Sequence, residues 1–314
     1  MDKTGTVQVR KKRRFKLTFR NFELFLMMIP GLAYLFINNY IPIGGLVIAF
    51  KKFDYRLGIW GSPWTGFSNF TFLFKTKDAY TIIRNTICYN VVFIALGQIV
   101  AVAVAIMLNA LEGRRNKRVY QTLILLPFLI SMVVVSYIVF GFLSTESGVI
   151  NNLRVAFGMD KINYYTTRGA WPYILTFVHL WKGFGYSSIV YYATVVGIDT
   201  TLYEAAAIDG ANVMKQIWHV TLPGLKNTVI ILTLMSLGGI MYSDFGLFYQ
   251  VPMRSTILAP VTDTLDVYIY KALTSTNNIG RASAAGFLQS IVGFLLVISV
   301  NLIVRKIDKD SALF

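Results

Sequence analysis

The chain has 314 residues, of which 55% are apolar and only 14% charged, and its mean hydropathy is +0.57. Soluble domains carry about 25% charged residues, so this composition excludes a soluble globular protein. Several apolar runs approach the roughly 20 residues that a hydrocarbon core demands, and the expected class is an all-α polytopic membrane protein. A net charge of +15 could suggest nucleic acid, but the cations gather in tails and short loops beside the apolar runs. That placement fits topology signals and anionic-lipid contact, with no nucleic-acid partner.

Residues 1–20 carry eight Lys and Arg against Asp2 alone and read as a basic cytoplasmic tail on the lipid surface. The apolar run behind them is too long for the core of a signal peptide and lacks a small-residue cleavage site. It reads as a retained span over 24–50, bent near Pro30 or Pro42. Trp60, Trp64, Phe67, Phe70, Phe72 and Phe74 crowd the next loop, as aromatic residues do at headgroup level. Further spans are expected at about 87–111, 120–143, 170–196, 224–245 and 283–304, all within one domain over 21–314. The single cysteine, Cys88, excludes an intrachain disulfide framework and a multi-cysteine zinc site.

Six spans place both termini on one side. On that side, the tail, the turn 112–118, the stretch 197–226 and the C-terminus hold 17 Lys and Arg, against 12 in the three opposite loops. The excess is densest in the shortest segments, where the positive-inside rule applies best, so the termini and residues 197–223 are expected to be cytoplasmic. No phosphate-binding GxxxxGK[ST], HExxH or GxSxG motif occurs. No cofactor is expected in this chain, and any energy source must lie in another one.

The interval 197–223 is the informative one. Asp199, Thr200 and Thr201 are good helix caps, Glu204 falls in the first turn where the helix dipole favours a carboxylate, and Ala205, Ala206 and Ala207 are strong helix formers with little bulk. Gly210 should turn the chain, and a second short helix can run from about Asn212 to His219, with Pro223 opening the next span. A plain amphipathic connector is the alternative on spacing alone.

The stretch resembles the EAA signature of permease subunits of ATP-binding-cassette importers: Glu204, Ala205 and Ala206, then Gly210 after three residues, then Val220, Leu222 and Pro223. Valine in place of the commoner isoleucine is the only departure. The resemblance implies a type I importer permease fold and a coupling helix that fits a groove on an ATPase subunit. Glu204, Ala205, Ala206, Asp209, Gly210, Lys215, Leu222 and Pro223 are then the ATPase-coupling residues. It further implies a homologous second permease, two ATP-binding subunits that bind ATP and Mg, an extracellular substrate-binding lipoprotein, and a bacterial cell membrane. Residues 61–74, Asn85–Thr86, 243–252 and 284–314 resemble the maltose-type sugar permeases, and among them the aldouronate-type group that carries acidic or complex oligosaccharides. The same architecture carrying a peptide, amino acid or polyol is the alternative.

For the substrate path the sequence offers Lys182, because a mid-span charge faces a polar interior by default, and Asp244 near the outer end of the fifth span. Tyr137, Trp181, Tyr191, Tyr192 and Tyr242 can stack on pyranose rings, although for each of them alone ordinary packing is the commoner role. Lys182 has a structural alternative too, a partner in Asp244 or in a backbone carbonyl. His179 and His219 lack a second ligand at metal spacing and read as packed residues.

Overall fold

The computed structural model describes residues 19–307. The basic tail before Phe19 and the end beyond Ile307 lie outside them. The described chain is helical, with no strand among the described residues, and it divides into two compact units at Val47. In the first unit, α1 (Phe19–Leu35) passes unbroken through Pro30. Winding changes only afterwards, to a π turn over Phe36–Tyr40 and a 3₁₀ segment over Ile41–Phe50, where Pro42 removes a backbone donor.

The second unit opens with a folded loop. Lys51 is buried, and its Nζ donates to the carbonyls of Ile59 (3.0 Å) and Trp60 (2.9 Å) while lying over the Trp64 ring. Asn69 donates to the carbonyls of Ala49 and Lys51, each at 2.9 Å. The loop aromatics divide: Trp60, Trp64, Phe67 and Phe74 are exposed, whereas Phe70 and Phe72 are buried beside Ile240, Leu265 and Ala284.

Helix α2 (Lys77–Ala110) starts ten residues before the expected position 87. Thr76 Oγ1 caps it by accepting from the Ala79 N–H, and Asp78 stands in the first turn, where the dipole favours it. At 34 residues it is about 50 Å long, longer than a hydrocarbon core. The span expected at 120–143 is two helices, α3 (Arg114–Leu129) and α4 (Met132–Leu143), bent by 93°. Pro127 lies in the last turn of α3, and Ser131 caps α4 through the Val134 N–H.

Helix α5 (Trp171–Val196) is long enough to span but too polar to rank with the apolar helices. Four helical stretches qualify by length and apolarity, at 24–50, 77–110, 213–238 and 279–306, or five if the bent pair is one span. The reason is periodic: His179, Gly183, Ser187 and Tyr191 recur every four residues and form one polar, inward face. Next come α6 (Thr200–Ile208) and α7 (Val213–Gln216), a π turn over Ile217–Thr221, and α8 (Leu222–Gly238). Pro223, expected to open a span, lies inside one that begins at Val213, and the wider π winding before it accommodates the missing donor. Helices α9 (Phe245–Gln250), α10 (Leu265–Thr274) and α11 (Ile279–Ile307) complete the described chain.

Packing fixes the direction of the bundle. Ala101 and Ala105 of α2 bury against Tyr191 and Val195 of α5 and Leu225 of α8. Higher on the same helices, Tyr89 and Phe93 meet Leu175 and Val178. Helices α2 and α5 therefore run parallel and α8 runs against them, so residues 111–113 and 197–221 share one end.

At the other end, one face of α2 holds the irregular backbone beyond α8. Asn85 donates to the carbonyls of Pro260 and Asp263 (3.1 Å each), Thr86 Oγ1 accepts from the Leu265 N–H (2.9 Å), and Tyr89 donates to Val261 O (2.8 Å). Asn90 donates to Ile240 O (2.9 Å) and Tyr242 O (2.8 Å). Buried backbone groups require such partners, which explains polar residues within an apolar helix. The Asp266 carboxylate accepts from the Ser243 N–H (2.6 Å), the Ser243 hydroxyl (2.8 Å) and Gln289 Nε2 (3.2 Å), so the segment leading into α9 is tied to both α10 and α11.

Candidate functional site

The interval between α5 and α8 folds as a helix, a tight turn and a second helix. Asp199 caps α6 by accepting from the Thr201 N–H at 2.9 Å. That backbone bond, reinforced by the Thr201 side chain, holds the Asp199 carboxyl below its ordinary value. The cap is therefore present at neutral pH and is lost as pH falls through the lowered value. The C-terminus of α6 closes in a Schellman turn: the Gly210 N–H donates to Ala207 O (3.0 Å) and the Ala211 N–H to Ala206 O (2.9 Å). Gly210 supplies the left-handed residue at φ +75°, and Asn212 then caps α7 by accepting from the Lys215 N–H at 2.9 Å.

Little of this segment faces the bundle. Tyr203 turns inward to share a hydrogen bond with the Thr221 hydroxyl at 3.0 Å. Ala206 and Leu222 are half-buried, whereas Glu204, Ala205, Asp209, Gly210, Lys215 and Pro223 are exposed. So are large apolar residues: Ile208 at 87%, Val213 at 70%, Met214 at 60% and Trp218 at 63%. An exposed patch of isoleucine, valine, methionine and tryptophan on an ordered backbone marks a surface that meets a partner or the membrane.

A second feature lies inside the bundle. A cavity of about 450 Å³ opens between α2, α5 and α8, lined with polar groups from Asn90, Gln98, His179, Ser187, Tyr191 and Ser236. Small-molecule sites occupy roughly 300–1,000 Å³, so a sugar unit fits. Tyr191 hydrogen-bonds Gln98 across it, and His179 stacks on Phe93 with ring centroids 3.8 Å apart.

Of the residues considered for the substrate path, only Tyr191 lines this cavity. Trp181 packs beside the cluster around Tyr89 and Phe93, and Tyr192 packs against Ala101 and Leu225. Tyr137 is exposed on α4, Tyr242 is exposed and shares a hydrogen bond with Ser290, and Asp244 caps α9 through the Leu247 N–H. Asn90, Gln98, Ser187 and Ser236 were not anticipated. The four-residue recurrence on α5 and the amides of α2 carried the signal.

Lys182 does not meet Asp244. Its ammonium donates to the carbonyls of Ile130 (2.7 Å), Phe128 (2.9 Å) and Pro127 (3.4 Å), where α3 ends and the chain bends. A cation there satisfies the Phe128 and Ile130 carbonyls, adds to the Ile130 N–H from which Pro127 O already accepts (3.3 Å), and favours the negative end of the dipole. Lys182→Met should therefore destabilise the protein by about 2–4 kcal/mol, since the Phe128 and Ile130 carbonyls lose their partner at about 1–3 kcal/mol each. Thermal unfolding in detergent will measure the loss.

A helical unit with long apolar helices, a half-open cavity between them and an exposed turn at one end fits a polytopic transport-type membrane protein. Residues 97–310 match the model for the binding-protein-dependent transport system inner membrane component, and the chain belongs to that family. It is 31% identical over 292 residues to protein LplB of Bacillus subtilis (strain 168), covering 93% of this chain and 91% of that one. It is also 31% identical over 302 residues to the polygalacturonan/rhamnogalacturonan transport system permease protein YteP of the same organism, covering 96% and 93%. A solved bacterial alginate ABC transporter, in complex with an alginate pentasaccharide-bound periplasmic protein, matches with TM-score 0.83 at 29% identity, covering 92% of this chain and 96% of that one. The fold is accordingly the type I importer permease fold.

Proposed function

We propose that this chain is the membrane permease subunit of an ATP-driven importer, translocating acidic or complex oligosaccharides handed over by an extracellular binding protein. The observation that carries the reading is the helix–turn–helix over 197–223, ordered by its own caps and with one face left exposed by the described chain. It is the surface on which an ATPase subunit would dock. ATP and Mg belong to that partner, and the chain itself performs no bond chemistry. A second, homologous permease completes the pathway, and the described helices are read as six spans, counting the bent pair and α5 one each, with both termini cytoplasmic in a bacterial cell membrane. The mostly apolar cavity between α2, α5 and α8, with polar groups at Asn90, Gln98, Ser187 and Tyr191, is the preferred position for a sugar unit. The polygalacturonan and alginate carried by relatives favour an acidic oligosaccharide.

The test is transport. The chain, co-expressed with its partner permease, ATPase and binding protein, is expected to give ATP-dependent uptake of labelled oligogalacturonides or related uronate oligosaccharides into vesicles. Uptake of a peptide, amino acid or polyol alone would replace the sugar reading, and failure of any ATPase to co-purify would overturn the importer reading.

A further inference from the structure

The turn between α2 and α3, one of the topology signals, holds its arginines closer together than orientation alone needs. Arg114, Arg115 and Arg118 are all exposed, and together they line a concavity of about 450 Å³. Among the described residues no carboxylate lies within ion-pair distance of any of them. Arg114 and Arg118 are one helical turn apart, as are Arg115 and Arg118, so their charges repel. They also stand in the first turns of a 16-residue helix, at its positive end, where a cation is disfavoured. Lys117 points elsewhere and donates to Asn109 O at 3.2 Å. Three arginines gathered around one concavity against both effects favour an anion between them.

The residues beyond Arg115 on the helix indicate which anion. Val119, Leu123 and Leu126 continue the same face at helical spacing, exposed at 49%, 51% and 48%. Positive charge thus passes directly into an apolar stripe along a membrane helix, at the level where the apolar run of α2 ends. A phosphate head with acyl chains above it matches both halves, whereas an acidic protein surface matches only the first.

We propose that Arg114, Arg115 and Arg118 form a binding site for the phosphate of an anionic phospholipid whose chains lie along Val119, Leu123 and Leu126. The site is independent of the cargo, because it uses no residue of the cavity or of the 197–223 segment. Arginine is the required residue type: its planar fork binds phosphate in a bidentate way, whereas lysine offers a point charge.

The test uses the full chain in lipid nanodiscs of phosphatidylcholine doped with phosphatidylglycerol, with co-purifying lipid read by native mass spectrometry. The wild type should retain phosphatidylglycerol in preference to phosphatidylcholine. The triple Arg→Gln variant should lower that preference by about tenfold or more, equivalent to about 1.4 kcal/mol. The triple Arg→Lys variant keeps the charge count that sets topology, and it should insert normally yet still lose most of the preference. Equal retention by the Lys and Arg forms would overturn the site and leave only a topology signal. Displacement of the lipid by inorganic phosphate at comparable concentration would overturn it in favour of a free-anion site. No lipid preference in the wild type, with loss of ATPase co-purification in the Gln variant, would overturn it in favour of a protein contact.

Discussion

Gly185→Ala should be among the most damaging single substitutions in the bundle. Gly185 is buried on α5 where that helix crosses α3, and a β-carbon there would stand 1.8 Å from the Ile124 carbonyl oxygen, 2.6 Å from its carbon and 3.2 Å from the Leu125 nitrogen. These are backbone atoms, so no rotamer change relieves the clash and the two helices must separate. Overpacking typically costs about 1–3 kcal/mol and sometimes more, and this site belongs at the upper end. Separation would also draw Lys182, three residues earlier on α5, away from the carbonyls it caps at the end of α3. Gly183 is the control: a β-carbon there meets nothing within 4 Å, and Gly183→Ala should leave thermal stability unchanged or raise it by up to about 1 kcal/mol through helix propensity. Matching melting temperatures for the two variants in detergent would refute the backbone-contact account.

The same crossing shows how far the sequence could be read. The apolar runs and the caps of α6 are local properties, so the helical class and the turn at Gly210 were legible. The 93° bend was not, because Pro127 alone does not say whether a helix kinks or ends. The deciding partner, Lys182, lies more than fifty residues away. A mid-span cation faces polar surroundings by default, and of the readings open for Lys182 the structural one, a backbone-carbonyl partner, is the one found. The early start of α2 was written in Thr76 and Asp78 but was hidden by the polar residues of its first turns. Those same residues, Asn85 and Thr86, hold the distant 260–265 backbone, a tertiary use that local polarity cannot reveal. For the cavity, single aromatic residues were a weaker guide than the four-residue recurrence of His179, Gly183, Ser187 and Tyr191, because a bundle interior is reached by one face of a helix.

Glu204→Lys and Gly210→Leu should each abolish most sugar uptake while leaving the protein inserted. Insertion should survive because neither side is packed: Glu204 and Gly210 are exposed, Glu204 bonds no described side chain, and a β-carbon on Gly210 meets nothing within 4 Å. The two changes act differently. Reversing the charge at Glu204 places a cation near the positive end of α6 and on the docking face, which disfavours both the helix start and the partner contact. Leucine at Gly210 must adopt φ near +75°, a conformation costing an L-residue about 1–2 kcal/mol. The Schellman turn through Ala206 and Ala207 then opens, and α6 loses its fixed angle to α7. Asparagine tolerates the left-handed region better, so Gly210→Asn should retain more uptake than Gly210→Leu, although both remove the glycine. In reconstituted vesicles the expected order is wild type, then Asn, then Leu, at equal amounts of inserted protein. Coupling through this turn would be refuted by normal uptake in both Glu204→Lys and Gly210→Leu. Equal loss in the Asn and Leu forms would instead show that the partner reads the bare glycine surface rather than the backbone angle it sets.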